Sequence, residues 1–429
     1  MAIVAILALV AILSGGNEKK PAPVVQKPKP KPPPKAVVVP PRASNGSDWP
    51  LYGNTPQRTR YVRAANLRPP FRKVWTVHGG GLIEFQPVIA AGRLFALRND
   101  GRAFAIGTET GRFRWRKRVG SLAASAPAVG GASVYFVVNA GGYGGIAGAG
   151  RAKLVAVRRR SGTVRFSKRL GSSSESSPLL IGERVYMGSQ NGTVYCMSAR
   201  DGHVIWTYHA GAPVKSALAW WHGKLYFGDY GGSITALRAK NGSLVWRSGV
   251  GGEVYATPAV AFGRVYVGSK SGAVSALNAN NGRRLWSRGT GAYVYAAPAV
   301  AAVPGMPPAV FVGSYSGRFY AFRARDGAVL WSRPAGGIVS GAASVIGQVV
   351  YFSALTARRT YAVSAKTGRL LWTLHAGAFN PAISDGKRIY ITGYGSEYAF
   401  TTPRRLRREK IAFAKRARAL KLQAQPKHP

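Results

Sequence analysis

The sequence predicts an all-β protein: an eight-bladed β-propeller of four-stranded antiparallel blades, closed by an N-terminal strand. Three observations carry that reading. Seven segments repeat alanine (once cysteine), glycine at +6 and an aromatic at +10: Ala105/Gly111/Trp115, Ala156/Gly162/Phe166, Cys196/Gly202/Trp206, Ala236/Gly242/Trp246, Ala276/Gly282/Trp286, Ala321/Gly327/Trp331 and Ala362/Gly368/Trp372. With Trp75 as an eighth aromatic in phase, successive aromatics lie 40, 51, 40, 40, 40, 45 and 41 residues apart, the period of a propeller or solenoid. Between them run short apolar strands and turn dipeptides, with no room for a helix of about ten residues, which disfavours a parallel βαβ arrangement.

The chain begins outside that pattern. Residues 1–13 are almost wholly apolar, too few to span a bilayer, which takes about 20. Residues 1–16 fit a secretory signal or membrane anchor, although no basic residue precedes the apolar run, which suggests a natural start further upstream. Leu13-Ser14-Gly15-Gly16 is similar to the end of a lipoprotein signal but lacks the lipid-accepting cysteine, so lipidation is not expected. Residues 17–47 form a Pro/Lys-rich linker. Within it, residues 21–41 hold nine of the 27 prolines, interleaved with Lys27, Lys29, Lys31 and Lys35. Such a segment favours extended polyproline II and would reach roughly 65 Å. An anchor followed by a spacer predicts a membrane-anchored or secreted, extracytoplasmic protein.

Residues 48–402 are the propeller. In residues 253–289 the four strands of one blade can be read directly. A run ending at Val260 meets the Phe262-Gly263 turn, residues 264–268 follow, Ser271-Gly272 leads to residues 273–277, and Asn281-Gly282 leads to residues 283–287. These dipeptides mark hairpins because their turns need positive φ. The second repeat is lengthened by glycine-rich residues 141–150. They lack the Gly-Lys-Ser/Thr ending and following helix of a phosphate-cradling loop, so a flexible hairpin loop is expected. A smaller insertion, residues 304–308, falls between the first two strands of the sixth blade. Eight inner strands open near Pro87, Pro127, Pro178, Ala217, Pro258, Pro298, Ala342 and Pro381, but only seven outer strands follow them. Residues 71–77, carrying Trp75, supply the eighth, which closes the ring without an open edge; a monomer is expected.

The Ala-x5-Gly-x3-Trp spacing resembles the tryptophan-docking motif of pyrroloquinoline-quinone (PQQ) type propellers. The segment Asp48-Trp49-Pro50-Leu51-Tyr52-Gly53 with Thr59-Arg60-Tyr61 is similar to the one preceding the first blade in that family. The resemblance covers about residues 48–400. It implies that Trp75, Trp115, Phe166, Trp206, Trp246, Trp286, Trp331 and Trp372 are blade-docking residues, each stacked near the small Ala and Gly of a neighbouring blade. The family usually has aspartate two residues after the alanine; here those positions are Gly107, Arg158, Ser198, Arg238, Asn278, Arg323 and Ser364.

The family divides into quinoprotein dehydrogenases and non-catalytic scaffolds such as the BamB lipoprotein of the β-barrel assembly machinery. The resemblance to the enzymes would imply an adjacent cysteine pair, a calcium held by carboxylate and amide oxygens, and an aspartate base. Cys196 is the one cysteine and only 14 acids are spread along the chain, so no catalytic residue, cofactor or metal site is expected. His78, His209 and His375 each follow a repeat tryptophan by three residues, on different blades, and read as exposed strand-end residues. The non-catalytic branch is therefore the expected one. A quinoprotein dehydrogenase and a cytoplasmic polyanion-binding protein are the alternatives.

A candidate binding face follows from one position series. Three residues before each inner-strand proline, or its equivalent, stand Glu84, Ala124, Glu175, Lys215, Tyr255, Tyr295, Ser340 and Ala378. Their chemistry varies while the register stays fixed, and they should ring the channel mouth. Glu84, Glu175, Lys215, Tyr255 and Tyr295, with Glu253 and Tyr293 nearby, form the candidate surface; solvated strand starts are the alternative reading. Residues 403–429 hold ten basic residues and one acid, with Leu406, Phe413 and Leu420 every seven. They predict a basic helix able to meet anionic lipid or polymer. The chain carries 61 Lys+Arg against 14 Asp+Glu, net +47. Residues 1–42 hold seven basic residues and one acid, so +32 of the charge remains on the propeller once both ends are set aside. Expected partners are thus a protein or an anionic cell-envelope polymer. Nucleic acid is disfavoured because no recognition motif is present.

Overall fold

In the computed structural model the described residues are 48–64, 67–123, 125–141 and 150–423, with backbone alone for 418–423. The expected anchor and linker, the core of the glycine-rich loop and the last six residues lie outside them. Short β-branched runs separated by glycine-bearing turns pair into eight antiparallel sheets arranged as the repeat demands. Blade 5 shows the unit: Ala259–Ala261, Arg264–Gly268, Ala273–Asn278 and Arg284–Gly289, each hydrogen-bonded to the next. Blades 1 to 7 comprise residues 88–118, 122–169, 179–209, 219–249, 259–289, 299–334 and 344–374. Blade 2 carries an extra short strand, Leu122–Ala123, and blade 6 accommodates its insertion between Ala299–Ala301 and Ala309–Gly313.

Blade 8 closes the ring by pairing sequence from both ends of the propeller. Its inner strands are Ile383–Ser384, Ile389–Thr392 and Ser396–Thr401. Arg72–His78 completes it, antiparallel to Ser396–Thr401, with Trp75 opposite Ala399 and His78 opposite Ser396. This removes a sheet edge that would otherwise stay exposed.

The repeat motif has a packing cause. Within a blade the alanine faces its own aromatic across the outer strand pair, as in Ala276 opposite Trp286, and a bulge follows at once. The indole then leaves its own blade and lies on the next blade's glycine. A Cβ on Gly282 would come within 2.6 Å of Trp246 Cε3, and one on Gly327 within 2.7 Å of Trp286 Cδ2. Six indoles donate Nε1–H to a carbonyl of the following blade: Trp75 to Thr108, Trp115 to Arg159, Trp206 to Ala239, Trp246 to Ala279, Trp286 to Ala324 and Trp331 to Ala365, at 2.8–3.3 Å. Phe166 lies against Gly202 without that bond. Trp372 faces blade 8 and packs edge-on against Phe71 and Phe400 instead.

Ahead of the ring, residues 49–62 thread its centre. Their carbonyls accept hydrogen bonds from the inner strands of six blades in turn: Trp49 from Ile89, Pro50 from Val129, Pro56 from Trp220, Gln57 from Val260, Thr59 from Val300 and Arg60 from Val345, each at 2.8–2.9 Å. Tyr61–Val62 ends the thread as a parallel strand on blade 7. After the propeller, helix α1 spans Pro403–Gln423. Its Glu409 bridges buried Arg388 of blade 8 (2.6 Å) and Arg405 of the helix (2.9 Å). Leu406, near that contact, is half-buried, whereas Ile411 and Phe413 beyond it are exposed.

Candidate functional site

The connections entering the inner strands and the hairpins between second and third strands meet at one end of the channel. There a depression of about 290 Å³ is lined by Glu84, Glu175, Lys215, Tyr255, Tyr295 and Ser340, six of the eight positions in the sequence series. Ala378 is buried beside it and Phe379 and Asn380 take its place in the lining. Ala124 lies outside the described residues. Tyr293, half exposed, and Glu253 stand at its rim.

A second series interleaves with the first and was not anticipated. Two residues before each hairpin glycine stand Asn99, Gln190, Tyr230, Lys270 and Tyr315. Four of them touch a member of the first series and Lys270 touches the neighbouring Glu253: Asn99 donates to Glu84 (2.8 Å), Gln190 to Glu175 (3.0 Å) and Lys270 to Glu253 (3.2 Å). Tyr230 meets Tyr255 at 4.5 Å between ring centroids and Tyr315 meets Tyr295 at 4.9 Å. The constant Gly−2 spacing was the available signal.

The result is a tyrosine arc over blades 4 to 6. Tyr255 and Tyr295 stack at 4.4 Å and 18°, with Tyr230 and Tyr315 flanking them. Lys215 Nζ sits 2.6 Å from Glu175 and 5.7 Å from the Tyr255 ring centre. The Tyr255 hydroxyl donates to Glu253, which together with Lys270 holds that carboxylate below its ordinary range. Desolvation, then the Glu253 carboxylate, pushes the Tyr255 phenol far up, so it remains a neutral donor. Glu84, Glu175 and Glu253 are thus each satisfied by a polar partner, and no pair of them is poised to share a proton.

Tyr52 floors the depression, and beneath it lie Arg58 and Arg60, both fully buried. Arg58 donates to the carbonyls of Leu218 (2.8 Å), Tyr52, Ser177 and Pro178; Arg60 donates to those of Arg58 (2.6 Å) and Pro298 (3.2 Å). The Arg60 guanidinium stacks 4.6 Å from the Tyr52 ring centre. Burial, then its cationic neighbour Arg60, draws the Arg58 pKa down to about 9. These arginines tie the central thread to blades 3, 4 and 6 and keep the channel shut below the mouth.

A family model described as outer membrane protein assembly factor BamB, built on PQQ-type repeats, matches residues 65–147, 140–219 and 190–402. The chain belongs to that family. Among solved structures, BamB from Moraxella catarrhalis is 19% identical, covering 78% of this chain and 100% of that one, with a TM-score of 0.64. Two quinohemoprotein alcohol dehydrogenases share the fold as well. The one from Comamonas testosteroni is 16% identical over 84% of this chain and 81% of its own, with a TM-score of 0.67. The one from Pseudomonas putida HK5 is 13% identical over 83% and 80%, with a TM-score of 0.69. Among curated proteins none matches the chain.

The fold therefore admits both branches of the family. A quinone with calcium is poorly served here. Cys196 is buried in blade 3 against Tyr186 and its thiol is pushed up to about 11 by burial, away from the mouth. Among the described residues no three His, Cys, Asp or Glu side chains are placed to hold a metal ion. His78, His209 and His375 are exposed at strand ends on blades 8, 3 and 7, as the sequence suggested.

Proposed function

We propose that this chain is a non-catalytic, extracytoplasmic member of the BamB family, tethered through its N-terminal segment, that binds a partner polypeptide at the channel mouth. The tyrosine arc carries the proposal. Stacked, half-buried tyrosines offer large rigid contact area with a polar edge, the kind of surface that protein interfaces favour. The glutamates around the arc suit a polypeptide, with its amide donors and basic side chains, better than an anionic polymer. The thread sealing the floor makes the mouth a docking surface in place of a substrate tunnel. Exposed Ile411 and Phe413 on a helix rich in Arg and Lys support a second, weaker contact with an anionic membrane surface.

Site-specific photo-crosslinking in cells tests this. A crosslinker at Tyr293, on the rim, should capture a discrete protein partner, and Glu84→Ala with Tyr255→Ala should abolish that adduct. One placed at Lys240, on the opposite face, should not give it. An adduct that survives the double substitution, or quinone-dependent alcohol oxidation by the purified chain supplied with PQQ and calcium, would overturn the proposal.

A further inference from the structure

A second groove lies apart from the channel mouth, on the outer strands of blade 1 where they meet blade 8. It measures about 450 Å³ and is lined by the cationic side chains Arg98, Arg102, Arg116, Lys117 and Arg118, with His78 at one edge. Ala103, Phe104 and Phe113 form its floor, and the Arg116 guanidinium stacks 3.5 Å from the Phe113 ring centre. Among the described residues no acidic side chain lines it. The nearest carboxylate, Asp100, spends one oxygen on both Arg98 (2.8 Å) and Arg102 (2.7 Å). Among the described residues no ion pair neutralises Arg116, Lys117 or Arg118.

The repeat itself supplies the control. In blade 4 the residue three before the hairpin glycine is Asp229, and the residue after the docking tryptophan is Arg247; the two form an ion pair at 3.2 Å, with Asp229 fully buried. The same two positions in blade 1 are Arg98 and Arg116. Blade 1 thus presents two guanidiniums where blade 4 holds a carboxylate and a guanidinium. Blades 3, 5 and 6 place Ser189, Ser269 and Ser314 at the Arg98 position. Room for the larger side chain comes from the run Gly79-Gly80-Gly81: a Cβ on Gly80 would stand 3.1 Å from Arg98 Nη1 and one on Gly81 2.8 Å from Nη2. Arg98 Nη1 donates to the Gly79 carbonyl (2.8 Å), which fixes the guanidinium, while its Nε is a buried donor with no acceptor. A fixed guanidinium beside four more cations, three of them without a carboxylate partner among the described residues, is an arrangement that an oxyanion completes.

We propose that this groove binds a phosphate-bearing ligand. Its oxyanion pairs with the Arg98 and Arg116 guanidiniums, which stand at the two positions that pair with each other in blade 4, and its organic part lies on the Phe104–Phe113 floor. Five cations exceed what a single carboxylate needs, and planar guanidiniums match phosphate oxygens in pairs. The site does not depend on the channel-mouth reading.

Calorimetric titration of the full chain with inorganic phosphate tests the site, alongside co-sedimentation with phosphatidylglycerol vesicles and with phosphatidylcholine vesicles. Arg102→Gln with Arg116→Gln removes two exposed cations, and Arg283→Gln with Arg284→Gln removes the same charge from blade 5. Saturable phosphate binding, weakened about tenfold or more by the first pair and unchanged by the second, is expected. Vesicle binding that phosphate competes away, with the same dependence on Arg102 and Arg116, assigns the ligand to a lipid headgroup; phosphate binding without it assigns a soluble phosphate compound. The inference is overturned if neither probe binds saturably, or if both pairs of substitutions weaken binding equally, since that would be the diffuse attraction of a cationic surface.

Discussion

Glu397 offers a quantitative test of how blade 8 is held. It lies fully buried in Ser396–Thr401, opposite Val77 on the closing strand and Thr392 on the other side. Among the described residues its oxygens meet only the Thr392 hydroxyl, at 3.1 and 3.2 Å. Burial outweighs that bond and raises the carboxyl from 4.5 to about 8. Because the folded state binds this proton more tightly than the unfolded chain, the stability it contributes is fully present below pH 4.5 and is lost as pH rises through about 8. The loss amounts to about 1.4 kcal/mol per pH unit over that window, hence on the order of 5 kcal/mol in all. Glu397→Gln keeps the shape of the protonated acid and removes the titration. Urea unfolding of both proteins between pH 5 and pH 9 should give similar stabilities at the acid end. The variant should then be more stable by about 3 kcal/mol at neutral pH and by more above it. Parallel pH profiles for the two proteins would refute a buried, unpaired carboxyl at this position.

The docking contact and the central thread yield two further expectations. Gly282→Ala adds a methyl 2.6 Å from Trp246 in a residue at φ +74, whereas Gly263→Ala adds one at φ +69 with nothing within 4 Å. Both incur the left-handed backbone cost of about 1–2 kcal/mol, but only Gly282→Ala should lose about 1–3 kcal/mol more to overpacking; equal unfolding midpoints would disprove the docking role. Arg58→Lys keeps the charge but cannot span the carbonyls of Leu218, Tyr52, Ser177 and Pro178, so the variant should be destabilised by about 3 kcal/mol or more in chemical denaturation, and a wild-type unfolding curve would show that the thread needs no fork there.

The propeller was legible because its cause is local and repeated. An indole can lie on the next blade only where a glycine leaves it room, so the spacing between Ala276, Gly282 and Trp286 records a contact. Blade closure by Trp75 could be found by counting, since seven outer strands cannot complete eight sheets. Half of the mouth was legible as well. The first series stood out because the inner-strand prolines mark its register, whereas Tyr230, Lys270 and Tyr315 sit in hairpins that look like ordinary turns. The central thread was not legible. Its bonds to six blades run mainly through backbone carbonyls, which carry no residue signature, and Arg58 and Arg60 read as two more cations in a cationic chain. Helix α1 formed as its composition suggested, yet its heptad did not forecast that Glu409 would fasten it to Arg388 while Phe413 stayed in solvent.

The excess charge acquires a direction once the ring is built. Arg158, Arg238 and Arg323, at the positions where the family usually carries aspartate, are exposed at the ends of third strands, on the face away from the mouth. Arg98 and Arg116 load the outer strands of blade 1. At the mouth, by contrast, Glu84, Glu175 and Glu253 stand against Lys215 and Lys270 around neutral tyrosines. A ring with this distribution attracts anions to its flank and far face but gives them no net attraction at the channel entrance. Electrostatic attraction to an anionic surface and recognition of a polypeptide would then fall on different faces, so that the first could hold the protein in place without occupying the second. Were the ring's +32 spread evenly, the entrance would be as cationic as the rim, and any polyanion in the compartment would compete for it.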